Sequence, residues 1–173
     1  MNKKSLPHPS YFIKKAQELG AKQASIISPK NVFTAEWVRL KCQYGCDGYG
    51  LHLTCPPYSP TPQHTRELLD EYKIALLIHC PPKWTNVRII VSRLEREAFL
   101  SGYYKAFGMG SGPCSLCDTC NTTKECAHPE EARPSMEACG IDVYLTARTA
   151  GYPINVVRNH RDSQNYYGLL LLE

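Results

Sequence analysis

Four cysteines stand within thirteen residues, at Cys114, Cys117, Cys120 and Cys126, spaced C-x2-C-x2-C-x5-C. Few chemistries need four thiols so close together. A gap of two residues lets one turn direct both sulfurs at a single metal centre, and two such gaps in succession surround three corners of a cubane. A more distant fourth cysteine then closes it. The bacterial ferredoxin run is C-x2-C-x2-C-x3-C-P. This chain departs from it: the last gap is five, and Cys126 is followed by Ala127-His128-Pro129, which leaves the fourth ligand open. The competing metal is zinc, which structural sites hold tetrahedrally with four Cys/His ligands, often on paired C-x2-C knuckles. A third cysteine at the same short spacing fits a [4Fe-4S] cluster better than a zinc knuckle.

A second group lies upstream at Cys42, Cys46 and Cys55. Three thiols hold a cluster with one iron open to hydroxide, sulfide or a substrate atom, where it acts as a Lewis acid. Alternatively, Cys80 or Cys139 supplies a fourth ligand. The plain reading of Cys80 is a small buried hydrophobe. The segment between Cys42 and Pro60 reads as a loop: Gly45, Gly48 and Gly50 permit turns, and Pro56, Pro57 and Pro60 stiffen its exit. Seven cysteines are thus metal candidates, in segments 42–57 and 114–139, and the count of clusters is one or two.

Nine cysteines is an odd number, which suits a disulfide framework poorly. Met1 to Gly20 holds no apolar run of signal-peptide length, and the longest apolar run, Ile74 to Ile78, is too short to span a bilayer. The expectation is therefore a cytoplasmic protein with reduced thiols and no membrane partner. A formal charge of +4, with no Lys/Arg block longer than a pair, argues against nucleic acid. Two loaded clusters lower that charge to about +1. No G-x-G-x-x-G, P-loop or G-x-S-x-G is present, so nucleotide binding and serine hydrolysis are not indicated. The C-x3-C-x2-C run of radical S-adenosylmethionine enzymes is also absent.

At 43% hydrophobic and 21% charged residues, the 173-residue chain is long enough for one domain, 1–173, with a real core. Ser10 to Gly20 reads as a helix with Ser10 as N-cap, and Ala24 to Ser28 as a strand. Val32 to Leu40 is ambiguous. Thr61-Pro62 opens a helix whose apolar face repeats at Thr65, Leu68, Leu69 and Tyr72. Ile74 to Cys80 is a strand covered on both faces, ended by Pro81-Pro82. A long helix is expected from Asn86 to about Phe107, then short helices over Pro134–Ala138 and Asp142–Ala150, with Asp142 as N-cap. Ile154–Val157 and Tyr166–Leu172 read as a terminal strand pair. The fold class is α/β: a single domain with a small mixed sheet, flanking helices and two Cys-rich loop insertions.

Cys42 to Pro57, with its Cys55-Pro56-Pro57, and Ala132-Arg133-Pro134-Ser135-Met136-Glu137-Ala138-Cys139-Gly140-Ile141-Asp142-Val143 resemble a small prokaryotic family of predicted metal-binding proteins of unknown function. The resemblance covers nearly the whole chain. It implies a metal site on Cys42, Cys46, Cys55, Cys114, Cys117, Cys120 and Cys126, with Cys139 carried over least firmly, and it supplies no substrate.

Other residues near the cysteines carry weaker readings. Arg133, Glu137 and Asp142 are read first as capping and salt-bridging groups, and second as groups that polarise a ligand. His52 and His128 are candidate outer-shell donors. The His160-Arg161-Asp162 loop reads as an ordinary hairpin loop before it reads as an anion site. The leading functional expectation is an iron–sulfur electron-transfer protein with a redox partner. Two alternatives stand beside it: an enzyme whose open iron on Cys42, Cys46 and Cys55 works on a small molecule, in sulfur removal or transfer, and a zinc-stabilised adaptor.

Overall fold

The computed structural model describes residues 6–80, 87–159 and 161–173. Its frame is a four-stranded sheet of β1 (Gln23–Ile27), β2 (Ala75–Cys80), β3 (Phe107–Met109) and β4 (Tyr166–Leu171), in the order β1-β2-β4-β3. The α/β architecture expected from the sequence is present. The pairing, however, is antiparallel at all three interfaces, so the sheet is not mixed. Among the described residues five α-helices flank it: α1 (Ser10–Glu18), α2 (Glu36–Gly45), α3 (Pro62–Asp70), α4 (Val87–Leu100) and α5 (Val143–Thr149).

β2 is buried at every residue because the sheet is covered on both faces, and strand side chains alternate between them. Leu76, Ile78 and Cys80 of β2, with Leu170 of β4, pack against Phe12 and Ala16 of α1 and against Val91, Leu94 and Ala98 of α4. Ala75 and Leu77, with Tyr167, Leu169 and Leu171, meet Leu69 of α3, Val143 and Ala147 of α5, and the segment from Met136 to Ile141. Each fully buried leucine contributes roughly 1.5–3 kcal/mol relative to exposure. Gly168 is required on the α4 side, where an added Cβ would lie 2.7 Å from Val91 Cγ2 and 2.8 Å from Val87 Cγ1.

Several local expectations are corrected. Ser10 is the first helical residue and Pro9 precedes it without a side-chain cap. The ambiguous stretch divides: Thr34 forms an isolated bridge with Ile141, and the chain is helical from Glu36 to Gly45, so Cys42 sits on a helix and not in a loop. The long helix stops at Leu100, and Gly102, with φ of 109°, turns the chain. The short strand β3 then occupies Phe107–Met109. Ile154–Val157 forms no strand; β4 pairs instead between β2 and β3. Thr61 caps α3 by accepting the His64 amide, and Asp142 caps α5 by accepting the Leu145 amide, both as expected. Pro81-Pro82, Asn86 and His160 lie outside the described residues.

Candidate metal centre

A short 3-10 turn at Glu137–Cys139 is the platform on which the upstream cysteines are built. Three side chains fix its outer carbonyls. Ser59 Oγ donates to Ala138 O at 2.6 Å, Arg39 donates to the same oxygen at 3.2 Å, and Thr65 donates to Cys139 O at 2.7 Å. Arg39 also donates to the Ser59 and Pro60 carbonyls, which locks α2 to the loop that follows it. Gly140 ends the turn with φ of 75°, pressed so closely on Pro62 that a Cβ would lie 2.4 Å from its Cγ. The Ala35 amide donates to Gly140 O and the Asp142 amide to Phe33 O, so the start of α2 is tied to the same platform.

Cys42, Cys46 and Cys55 converge beside it. Cys42 sits on the last turns of α2, its sulfur 4.0 Å from the Glu137 carbonyl. Cys46 is exposed at the helix end, and the Gly48 amide donates to its sulfur at 3.4 Å. Cys55 is buried. All three line one cavity of about 910 Å³, together with Trp37, Tyr49, Glu137, Tyr144 and the two stretches 154–157 and 164–167. Burial pushes the Cys42 thiol up, and the charges of Cys46 and Glu137 push it further against the pull of Arg39. Burial also raises Cys55, and the charges of Cys46 and Cys42 add to the rise. These thiols therefore feel one another's charge across the cavity.

Cys114, Cys117, Cys120 and Cys126 form the second group, on an irregular excursion between β3 and the platform. Its neck is closed where the Gly110 amide donates to Pro134 O at 2.8 Å and the Met136 amide donates to Gly110 O at 3.0 Å. Arg133 fastens the returning limb to α4 through Glu95, with Nε to Oε2 and Nη2 to Oε1 both at 2.6 Å. The four cysteines surround a void of about 10 Å³ with His52, Thr54, Leu116 and His128. Burial raises the Cys117 thiol, and the charges of Cys120, Cys114 and Cys126 add to it. The His128 amide donates to Cys126 Sγ at 3.4 Å.

The two groups are neighbours. Thr54 faces the four-cysteine void while Cys55 faces the large cavity, and the Cys114 backbone lies near enough to Cys55 to pull that thiol down. On the other side Gly48 fits between Pro113, Cys46 and His52, where a Cβ would lie 3.3 Å from Pro113 Cβ and 3.6 Å from Cys46 Sγ. All seven cysteines singled out from the sequence are therefore gathered in two adjoining groups. Cys80 and Cys139 are not among them. Both are packed in the apolar layers, line neither cavity, and are pushed up to about 12 by burial.

The remaining candidates separate cleanly. Arg133 is spent on Glu95 and Asp142 on its cap, the plain roles first assigned to them. Asp162 accepts the Arg158 and Asn159 amides, closing its loop on itself. His52 and His128 both face the four-cysteine void, although His52 lies nearer in sequence to Cys55. Glu137 is held at its place on the turn: burial pushes its carboxyl up, its own backbone and the Ser135 side chain pull it down, and its Oε2 is shut off from solvent without a hydrogen-bond partner. Sequence reasoning missed the cavity walls at 154–157 and 164–167, which carry no motif; their aromatic and β-branched residues read equally well as strand.

Among the described residues, no group of three or more His, Cys, Asp or Glu side chains is arranged to hold a single metal ion. No helix among them is long and apolar enough to cross a membrane. A family model described as predicted metal-binding protein (DUF2284) matches residues 25–172. No curated protein and no solved structure matches the chain.

Proposed function

We propose that this chain, which belongs to the DUF2284 family of predicted metal-binding proteins, is an iron–sulfur protein with two neighbouring centres. Cys114, Cys117, Cys120 and Cys126 hold a [4Fe-4S] cluster that passes electrons. Cys42, Cys46 and Cys55 hold a second one that faces a small molecule in the cavity. The observation that carries this reading is the shared wall. Residues 52–55 turn His52 and Thr54 to one sulfur group and Cys55 to the other, and the Cys114 backbone rests on the Cys55 sulfur.

Clusters of this kind supply one-electron exchange, and an iron without a protein thiolate supplies a Lewis-acid position. The chemistry of the donors supports this reading: seven thiols line two adjoining cavities, and the Gly48 and His128 amides donate to two of the sulfurs. Such amides favour added negative charge on a thiolate, and so favour the reduced state. The four downstream cysteines are only partly buried, which gives a redox partner protein access to that centre. Trp37, Tyr49 and Tyr144 give the cavity an apolar wall that keeps water from a bound ligand. An odd count of nine cysteines, which suits a disulfide framework poorly, supports a cytoplasmic setting.

Electron paramagnetic resonance of the anaerobically reconstituted, dithionite-reduced chain tests this. Two cluster signals are expected, with Cys117→Ser removing one and Cys55→Ser the other. A chain that binds iron and sulfide but shows no change on reduction would end the electron-transfer reading.

A further inference from the structure

We propose that the cavity beside the three upstream cysteines binds an apolar or aromatic carboxylate: Asn165 donates to it, Lys41 supplies the opposite charge, and the buried His79 holds Asn165 in place. The proposal rests on the reading that this cavity receives a small molecule, and not on which metal the cysteines hold.

Strand side chains alternate, so His79 shares a face of β2 with Ala75 and Leu77. It is fully buried there, stacked on Tyr167 with ring centroids 4.9 Å apart and 5.7 Å from Tyr152. A phenylalanine would fill that place without needing a hydrogen-bond partner. The polar ring has one partner among the described residues: its Nε2 lies 2.8 Å from Asn165 Oδ1, while Nδ1 is buried without any. That orphan decides the tautomer. If Nδ1 carried the hydrogen, a buried N–H would have no acceptor, whereas a bare ring nitrogen leaves only one lone pair unused. The hydrogen is therefore on Nε2, which donates to Asn165 Oδ1. The carboxamide is fixed with its oxygen spent and its NH2 group free.

Asn165 and Tyr167 both line the cavity of about 910 Å³, although His79 itself does not. The Tyr167 hydroxyl donates to Pro153 O at 2.6 Å, which ties the wall at 164–167 to the one that begins at Ile154. A fixed N–H donor in a largely apolar lining selects a ligand with an acceptor oxygen. Charge narrows the class further. Lys41 is the only lysine or arginine on the lining and is exposed, and it has no ion pair among the described residues. Glu137, the only acid on the lining, is turned in on its own turn, where its backbone and Ser135 act on it and its Oε2 is shut off from solvent. The cavity thus offers a ligand a cation and a neutral donor. Trp37, Tyr144 and Tyr166 suit an aromatic or apolar body on the same molecule.

Isothermal titration calorimetry of the purified full chain with three probes of one shape tests the proposal: 2-naphthoate, 2-naphthamide and 2-naphthylmethylamine. The naphthoate is expected to bind about fivefold tighter than the amide, and the amine weakest. Lys41→Met removes the preference for naphthoate over the amide. Asn165→Ala weakens both by about fivefold. His79→Phe weakens both to the same degree and adds nothing in the double variant with Asn165→Ala, as a residue acting only through Asn165 must; His79→Gln, which keeps a donor at the Nε2 position, restores binding. Should His79→Phe not fold, His79→Gln and Asn165→Ala carry the test. An amide or amine that binds as tightly as the naphthoate overturns the carboxylate assignment. Full affinity in Asn165→Ala, or losses from Asn165→Ala and His79→Phe that simply add, overturns the His79–Asn165 device. If none of the three probes binds, the reading of the cavity as a small-molecule site fails instead.

Discussion

Removing the Glu95 carboxylate tests whether the four-cysteine excursion is held to the sheet by a buried ion pair. Both side chains are largely shielded, at 15% exposure for Arg133 and 12% for Glu95. Glu95 accepts two hydrogen bonds of 2.6 Å from Arg133, and its Oε2 also accepts the Gly108 amide at 2.8 Å. Glu95→Ala therefore leaves a buried guanidinium and a strand amide without their acceptor. Breaking a buried pair from one side costs about 3–5 kcal/mol. For a chain of this length each kcal/mol lowers Tm by about 2–4 °C, so the fall is roughly 6–20 °C. Thermal and urea unfolding of the metal-free chain measure it directly. Glu95→Leu with Arg133→Met recovers much of the loss, since an apolar pair of similar volume needs no partner. A loss below about 1 kcal/mol for Glu95→Ala would refute the reasoning, because that is the behaviour of an exposed pair.

Three further outcomes follow from single positions. Gly140→Ala forces a left-handed residue to carry a Cβ into Pro62 and costs roughly 2–4 kcal/mol by urea unfolding; a neutral result would mean that the platform yields. His79, buried in β2 and stacked on Tyr167 at 4.9 Å, has its pKa lowered by burial. The unfolded chain then binds the extra proton first, so stability falls as pH drops below the unfolded histidine value of about 6.5. His79→Phe flattens that acid-side slope in urea titrations, and an unchanged slope would remove His79 as its source. Cys80→Ala and Cys139→Ala keep full iron content while losing some stability through the space left in the apolar layers; loss of iron from either would reinstate it as a ligand.

The legible parts of this molecule are those fixed by local physics. Thr61 before Pro62 and Asp142 before Val143 announce caps because a side-chain oxygen beside an orphan amide satisfies it within one turn. β2 reads as a covered strand because its four successive apolar residues, Ala75 to Ile78, leave it no solvent face. β3 was hidden because Phe107-Gly108-Met109 is short and its glycine answers to Val91, a residue far off in sequence. Ile154–Val157 has the composition of a strand, yet β4 finds its neighbours in β2 and β3, a tertiary choice no local pattern records. The cysteine groups were legible as spacings, whereas their adjacency was not. It depends on Cys114 meeting Cys55 across the fold. Glu137 was indistinguishable in sequence from Arg133 and Asp142; the structure separates them by giving Arg133 an ion pair and Asp142 a cap while leaving one Glu137 carboxylate oxygen buried without a hydrogen bond.

The most direct measurement of the central claim is the iron and acid-labile sulfide content per chain after anaerobic purification, taken with the visible spectrum. Two cubane centres predict about eight of each, with a broad brown absorption. About four of each would leave a single centre and remove the three-cysteine cluster. Stoichiometric zinc without sulfide, in a colourless protein that unfolds on chelation, would contradict the iron–sulfur account altogether.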